Sequence, residues 1–177
     1  MVFFGVGRQD VLIFQAGVVE CAPRPLPPRI RRKLERKPEF IRRPIIKFLK
    51  ANRPMLLRWG MSFRKMEPND FRSAIKEWFA DAIKHFGQIA VFELPPVNAA
   101  AEEYSPGWQA STLLYNQILT EAVASLDDPR IFMVPLHQWL WSRRDHLDTY
   151  ISPVDGHHLL KAGHLAAFHL LREALKL

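Results

Sequence analysis

The sequence has one cysteine, Cys21, in 177 residues. That excludes an internal disulfide framework and any zinc site built on several thiolates. Nowhere does an apolar run approach the ~20 residues that a bilayer-crossing helix needs, so no transmembrane segment is expected. Residues 1–6 are apolar, but they are few and lack a basic flank, and so do not read as a signal peptide. The default location is therefore cytoplasmic, provided residue 1 is the true start. Acidic residues are also scarce in one place. Between Arg24 and Lys65 the only acids are Glu35 and Glu39, against fifteen Lys or Arg. The net charge of +7 is thus concentrated in that block, and the rest of the chain is slightly acidic. Such a block suits nucleic acid, acidic lipid or a charged polysaccharide.

What is present is ordinary for a globular chain. Apolar residues make up 48% and charged residues 24%, and the length fits one domain with a sizeable core. Asp10-Val-Leu-Ile-Phe-Gln-Ala-Gly17 is a short apolar run closed by a glycine turn, the pattern of a strand buried on both faces. Four prolines crowd residues 23–28, which must be extended. Residues 29–66 read as a basic helical insertion, divided into short pieces by Pro38, Pro44 and Pro54. Its aromatics, Phe40, Phe48, Trp59 and Phe63, fall at helix-core spacings, which argues against base stacking and hence against nucleic acid.

A clear amphipathic helix follows over 68–86, with apolar residues from Phe71 to Phe86 at three- and four-residue intervals and a stop at Gly87. Strands are expected at 89–94 and 131–136, the second at a sheet edge because of Pro135. A helix is expected over about 111–126, a loop over 139–152, and a closing helix over 159–175. The alternation predicts an α/β domain with a parallel sheet, whose active groups gather at the carboxyl ends of the strands.

The stretch with the most chemistry is Ser152-Pro-Val-Asp155-Gly-His157-His158. A carboxylate three residues before a histidine, on a Pro/Gly loop, can hold the imidazole in one tautomer and stabilise its cation. That is the base-plus-orienter half of a hydrolytic triad, with His158 as base and Asp155 behind it. The histidines at 157, 158, 164 and 169 raise a metal site. Only 157 with 164, or 158 with 169, would share a helical face, and no nearby carboxylate or cysteine completes a set. No metal and no cofactor is expected.

Asp155-Gly-His-His158, followed by Leu-Leu-Lys-Ala-Gly163-His164, resembles the last conserved block of the SGNH (GDSL-type) hydrolases, Asp-x-x-His before the final helix. Val11-Leu-Ile-Phe-Gln-Ala-Gly17-Val-Val-Glu20-Cys-Ala-Pro-Arg24 resembles the family's strand ending in Gly-x-Asn-Asp, and its close is similar to a bacterial subgroup associated with surface polysaccharides. Val91-Phe-Glu-Leu-Pro-Pro96 and Tyr115-Asn116 resemble the next strand and helix. The resemblance covers residues 9–22 and 88–173. It implies a flavodoxin-like three-layer αβα fold and hydrolysis of an ester, with carbohydrate acetyl esters as substrate class, through an acyl-enzyme. By position it assigns Gly17, Val19, Glu20 and Arg24 to an oxyanion or substrate loop.

The departures are specific. No Gly-Asp-Ser occurs in the sequence, so the family's nucleophile is missing. Val19 stands at the oxyanion-hole asparagine and cannot donate; losing such a donor typically costs ~10²–10³ in rate. Cys21, just beyond the oxyanion-type turn, is a poor stand-in because a free cysteine is commonly a small buried hydrophobe. Ser152 is no better placed, and none of the other serines lies on a glycine-flanked strand-to-helix turn. The resemblance therefore implies a sheet without its first, central strand. Either the chain is truncated at its start, which the survival of Asp155 and His158 favours, or it is a divergent remnant. The second functional reading is a non-catalytic α/β module whose basic insertion binds an anionic polymer.

Overall fold

The structure, a computed structural model, describes residues 2–6 and 9–176. Strands β2 (Gln9–Gln15), β3 (Gln88–Phe92) and β4 (Ile131–Val134) run parallel and side by side. The α/β class read from the sequence is thus present, with β4 at the edge that Pro135 implied. A further strand was not anticipated. β1 (Val2–Val6) pairs antiparallel with the other edge of β2, Val2 opposite Ile13, and so supplies that edge with hydrogen-bond partners.

Alternation along the strands sends side chains to two apolar layers. Leu12, Ile89 and Val91 pack on one face with Phe79 and Ile75 of α5 (Pro68–Ala82) and with Tyr115 and Leu119 of α7 (Trp108–Ala124). Val11, Ala90, Phe92 and Val134 face the opposite way. They pack with Leu136 and Leu140 of α8 (Leu136–Trp141) and with Leu170 and Leu171 of α9 (Lys161–Ala174). Helices therefore cover both faces of the parallel sheet, as a sheet of continuous apolar strands requires. Between β2 and α5 the chain adds three short helices and one longer one: α1 (Val18–Cys21), α2 (Pro28–Glu35), α3 (Glu39–Ala51) and α4 (Arg53–Arg58). A short α6 (Ala99–Tyr104) follows β3.

Four expectations need correction. Pro44 does not divide its helix but lies inside α3. The carbonyl it leaves without a helical donor belongs to Phe40, in the exposed first turn, where water can serve. Phe40, Phe48 and Trp59 are not core residues; they are 78%, 58% and 72% exposed. The inward side of α3 carries Ile46 and Leu49 instead, which are partly covered. Residues 139–152 are not a loop: Trp139 and Leu140 belong to α8, and Arg144–Thr149 is a 3-10 turn. Buried Leu140, Leu147 and Ile151 recur there at near-helical spacing and anchor it. Finally, α9 starts at Lys161, because Leu159 is still paired with Ile151 as an isolated bridge.

Asn116 ties α7 to the end of β3. Its Oδ1 accepts from Leu94 N–H at 2.7 Å and its Nδ2 donates to Leu94 O at 3.0 Å, both buried. Asn116→Ala leaves a buried backbone donor and acceptor unpaired, and is expected to cost about 2–4 kcal/mol. Urea unfolding checks this; a loss below ~1 kcal/mol would show that water replaces the amide.

Candidate active site

The carboxyl ends of β2 and β3 and the loop before α9 meet at one place. Beyond β2, Gly17 is the extended residue before α1, and Trp108 of α7 donates from Nε1 to Val18 O at 3.2 Å. The same indole packs on the His157 ring, centroids 5.1 Å apart. Beyond β3, Asn98 caps α6 by accepting from Ala101 N–H at 3.0 Å, and its own N–H donates to Gly156 O, also at 3.0 Å. Two segments far apart in sequence, 17–24 and 152–158, are thereby fixed around Trp108 and Asn98.

Gly156 is where the loop must be glycine. Its φ is +71°, and a Cβ there would lie 2.2 Å from Asn98 Oδ1 and 2.5 Å from Ala101 Cβ. Gly163, in the first turn of α9, has a similar duty, since a Cβ would meet Tyr150 O at 2.4 Å. The loop closes on itself through Ser152 N–H to His158 O and Gly156 N–H to Ser152 O, each 2.8 Å.

Within this frame Asp155 and His158 are paired. Asp155 Oδ2 lies 2.9 Å from His158 Nδ1, while Oδ1 accepts the backbone N–H of both His157 and His158 at 3.1 Å. Because a carboxylate only accepts, Nδ1 of His158 carries the proton and Nε2 is left with its lone pair outward. Partial desolvation would raise the Asp155 carboxyl. The two backbone donors and the His158 side chain outweigh it, with His157 adding to them, and hold it well below the usual carboxylate range. The pair lies at the surface, His158 with 69% and Asp155 with 37% of the side chain exposed.

Asp155 also lines a cavity of about 540 Å³ beneath α2 and α3. The imidazole that lines it is His157, not His158. Its apolar walls include Val19, Leu34, Ile46, Leu49 and Trp108; Arg24, Lys50 and Arg53 bring positive charge. Arg24 donates to Val19 O at 3.2 Å. Burial, then the neighbouring Arg31 and Arg53 charges, push its guanidinium below the ordinary arginine value. Of the residues assigned by resemblance, Val19, Arg24 and Asp155 line the cavity, whereas Glu20 turns to Lys65 at 2.6 Å. Among the described lining residues there is no serine, threonine or cysteine.

The stand-in nucleophiles are engaged elsewhere. Cys21 is buried, donates to Val18 O at 3.0 Å, and burial pushes its thiol up, which keeps it protonated. Ser152 Oγ accepts from Val154 N–H at 3.3 Å. The helical histidine pairs considered for a metal do not form, because His157 and His158 precede α9. Instead Asp155, His157 and His158 bring ligand atoms within 4.8 Å of one another, the one such group among the described residues.

Asn98 and Trp108 were the residues that motif reading passed over, while His157 entered there only as one of the histidines of a metal pair. Asn98 had a legible signal, an N-cap residue before Ala-Ala-Ala-Glu-Glu. Trp108 had none, because its role depends on two segments separated by more than a hundred residues.

Fold and loop together define an α/β domain with a surface Asp–His pair held at the carboxyl ends of parallel strands. Neither a family model, nor a curated protein, nor a solved structure matches the chain.

Two measurements test the loop. Gly156→Ala should cost about 2–3 kcal/mol through its left-handed backbone alone, more with the Asn98 clash, and should broaden the His158 imidazole resonances; unchanged stability and spectra would mean the loop relaxes freely. Asp155 has a depressed folded-state pKa, so its stabilisation is present above the unfolded value of about 3.9 and is lost as pH falls through the lower folded value. The melting-temperature gap between wild type and Asp155→Asn should therefore be widest near neutrality and close in acid. A gap that does not change with pH would contradict the assigned carboxylate.

Proposed function

We propose that the chain carries the acid–base half of an SGNH/GDSL-type ester hydrolase. The observation that supports this reading is the Asp155–His158 pair, oriented by two backbone N–H groups on the loop before the last helix. In the reaction, Nε2 of His158 takes the proton of a serine hydroxyl as its oxygen attacks the ester carbonyl. It then returns that proton to the departing alcohol. Water, activated by the same nitrogen, hydrolyses the acyl-enzyme, and Asp155 balances the imidazolium charge in both halves. No Gly-Asp-Ser occurs in these 177 residues, so on this reading the nucleophilic serine comes from outside them.

The cavity favours a substrate whose ester lies against apolar walls and whose remainder tolerates positive charge. Arg24, Lys50 and Arg53 suit an acetylated sugar bearing an acidic group. Without a nucleophile or an amide at Val19, the chain alone is expected to hydrolyse acetyl esters at background rate. A form extended at its N-terminus with an in-frame Gly-Asp-Ser segment should be active. His158→Ala should lower its kcat ~10⁴-fold or more, and His157→Ala far less. Activity that survives His158→Ala, or no activity in the extended form, defeats the reading. The reverse order of the two histidines would move the base to His157.

A further inference from the structure

The insertion presents a combination that neither a core nor a solvated helix explains. On α3, Phe40, Pro44 and Phe48 recur every four residues, with Ile41 and Ile45 in the adjoining row, so all five share one band. Every one of them is exposed. The row on the other side of that band carries Arg43 and Lys47, also exposed. The opposite side of the same helix is committed, since Ile46, Leu49 and Lys50 wall the cavity. Ile30 on α2 and Met55 on α4 add further uncovered apolar surface, and Trp59 directly follows α4.

Ten of the Lys and Arg residues between 29 and 58 are exposed, and all but Arg31 and Lys50 of these lie away from the cavity lining. Among the described residues of α2, α3 and α4, the one cation in an ion pair is Arg31, with Glu35 at 2.9 Å. Each partner class can be weighed against that chemistry. A soluble polyanion uses the cations but gains nothing from Phe40, Ile41, Ile45 and Phe48. Single-stranded nucleic acid stacks on aromatics, yet three of the five band residues, Ile41, Pro44 and Ile45, are not aromatic. A second copy would cover the apolar band but would bring the same dense positive charge against itself. A bilayer interface with anionic headgroups takes both features at once, apolar side chains into the headgroup–acyl boundary and cations onto the phosphates.

We propose that α2, α3 and α4 dock the protein on an anionic phospholipid surface, with Phe40, Ile41, Ile45 and Phe48 of α3 entering the interface and Arg43 and Lys47 flanking them at headgroup level. The helix lies in the surface. No described helix is long and apolar enough to cross a membrane. This inference does not depend on the hydrolase reading.

The full chain is tested by co-sedimentation with vesicles of phosphatidylcholine alone and of equimolar phosphatidylglycerol and phosphatidylcholine, with dextran sulfate and a single-stranded oligonucleotide as soluble arms. Binding is expected to the mixed vesicles, weakly or not at all to neutral ones, and to fall with salt. Phe40→Ser/Phe48→Ser should weaken vesicle binding at least ~10-fold while leaving the melting temperature and dextran sulfate binding unchanged. Arg43→Gln/Lys47→Gln should weaken it by a similar factor. The proposal is overturned if the double serine variant binds vesicles as well as wild type, or if neutral and mixed vesicles bind equally. It is equally overturned if only the oligonucleotide or dextran sulfate is retained. Self-association that the serine variant abolishes, without vesicle binding, would assign the band to a second copy instead.

Discussion

The backbone hydrogen bond from Asn98 N–H to the Gly156 carbonyl, 3.0 Å long, is the contact on which the arrangement of the site depends. It joins the carboxyl end of β3 to the loop before α9, and the missing Cβ of Gly156 lets the two backbones approach. Asn98 adds to it from the side chain, capping α6 and donating to Asp148 Oδ1 at 3.1 Å. With that clamp made, Asp155 has little freedom, because its carboxylate is spent on the two following N–H groups and on His158. The direction of the imidazole is thus set by a carboxylate that the backbone holds in place, with the His157 ring beneath it.

A second constraint is electrostatic. Arg24 is partly buried near Arg31 and Arg53, and burial, then those two charges, weaken its protonated form. Arginine's ordinary pKa is so high that Arg24 stays charged near neutrality all the same. The fold limits the cost with neutral oxygen acceptors: Arg24 donates to the Val19 carbonyl, and Arg53 to the Pro23 carbonyl and, at 3.0 Å, to the Ser105 hydroxyl. Arg53 also stacks its guanidinium on Tyr104, 4.8 Å from the ring centre. Its Nε remains buried with no acceptor. The basic block therefore has two populations: a few cations held inward at the cavity wall, and a larger number left outward.

Local signals carried the reading of the sheet and of the long helices. Val11, Leu12, Ile89, Val91 and Val134 sit in unbroken apolar runs, and α5 has a clean three–four repeat, so burial and period agree. The Asp155–His158 pairing was legible for the same reason, as a three-residue spacing across a Pro/Gly turn. Phe40 and Phe48 misled because a helix with two apolar sides gives the same periodicity whether one side or both are covered. Periodicity names a face and not its neighbour. β1 was passed over because residues 1–6 are too few to show alternation, and its identity comes from the edge of β2 that it meets. The convergence at Trp108 was illegible in principle, being a tertiary contact between Val18 and His157.

The two histidines then divide the site in a way that spacing alone does not reveal. His157 is the better covered, with its ring against Trp108 and its Nδ1 at 2.8 Å from Asp155 O, so it forms part of the wall of the cavity. His158 stands over it, ring centroids 4.1 Å apart, and reaches solvent. His157 Nδ1 is held by the Asp155 carbonyl, with Asp155 Oδ1 farther off at 3.5 Å, whereas His158 Nδ1 meets Asp155 Oδ2 directly at 2.9 Å. His157 is thus the ring presented to the cavity and His158 the ring presented to solvent. Any nucleophile that uses the pair has to approach along the outer edge of the loop, where His158 Nε2 is free to accept.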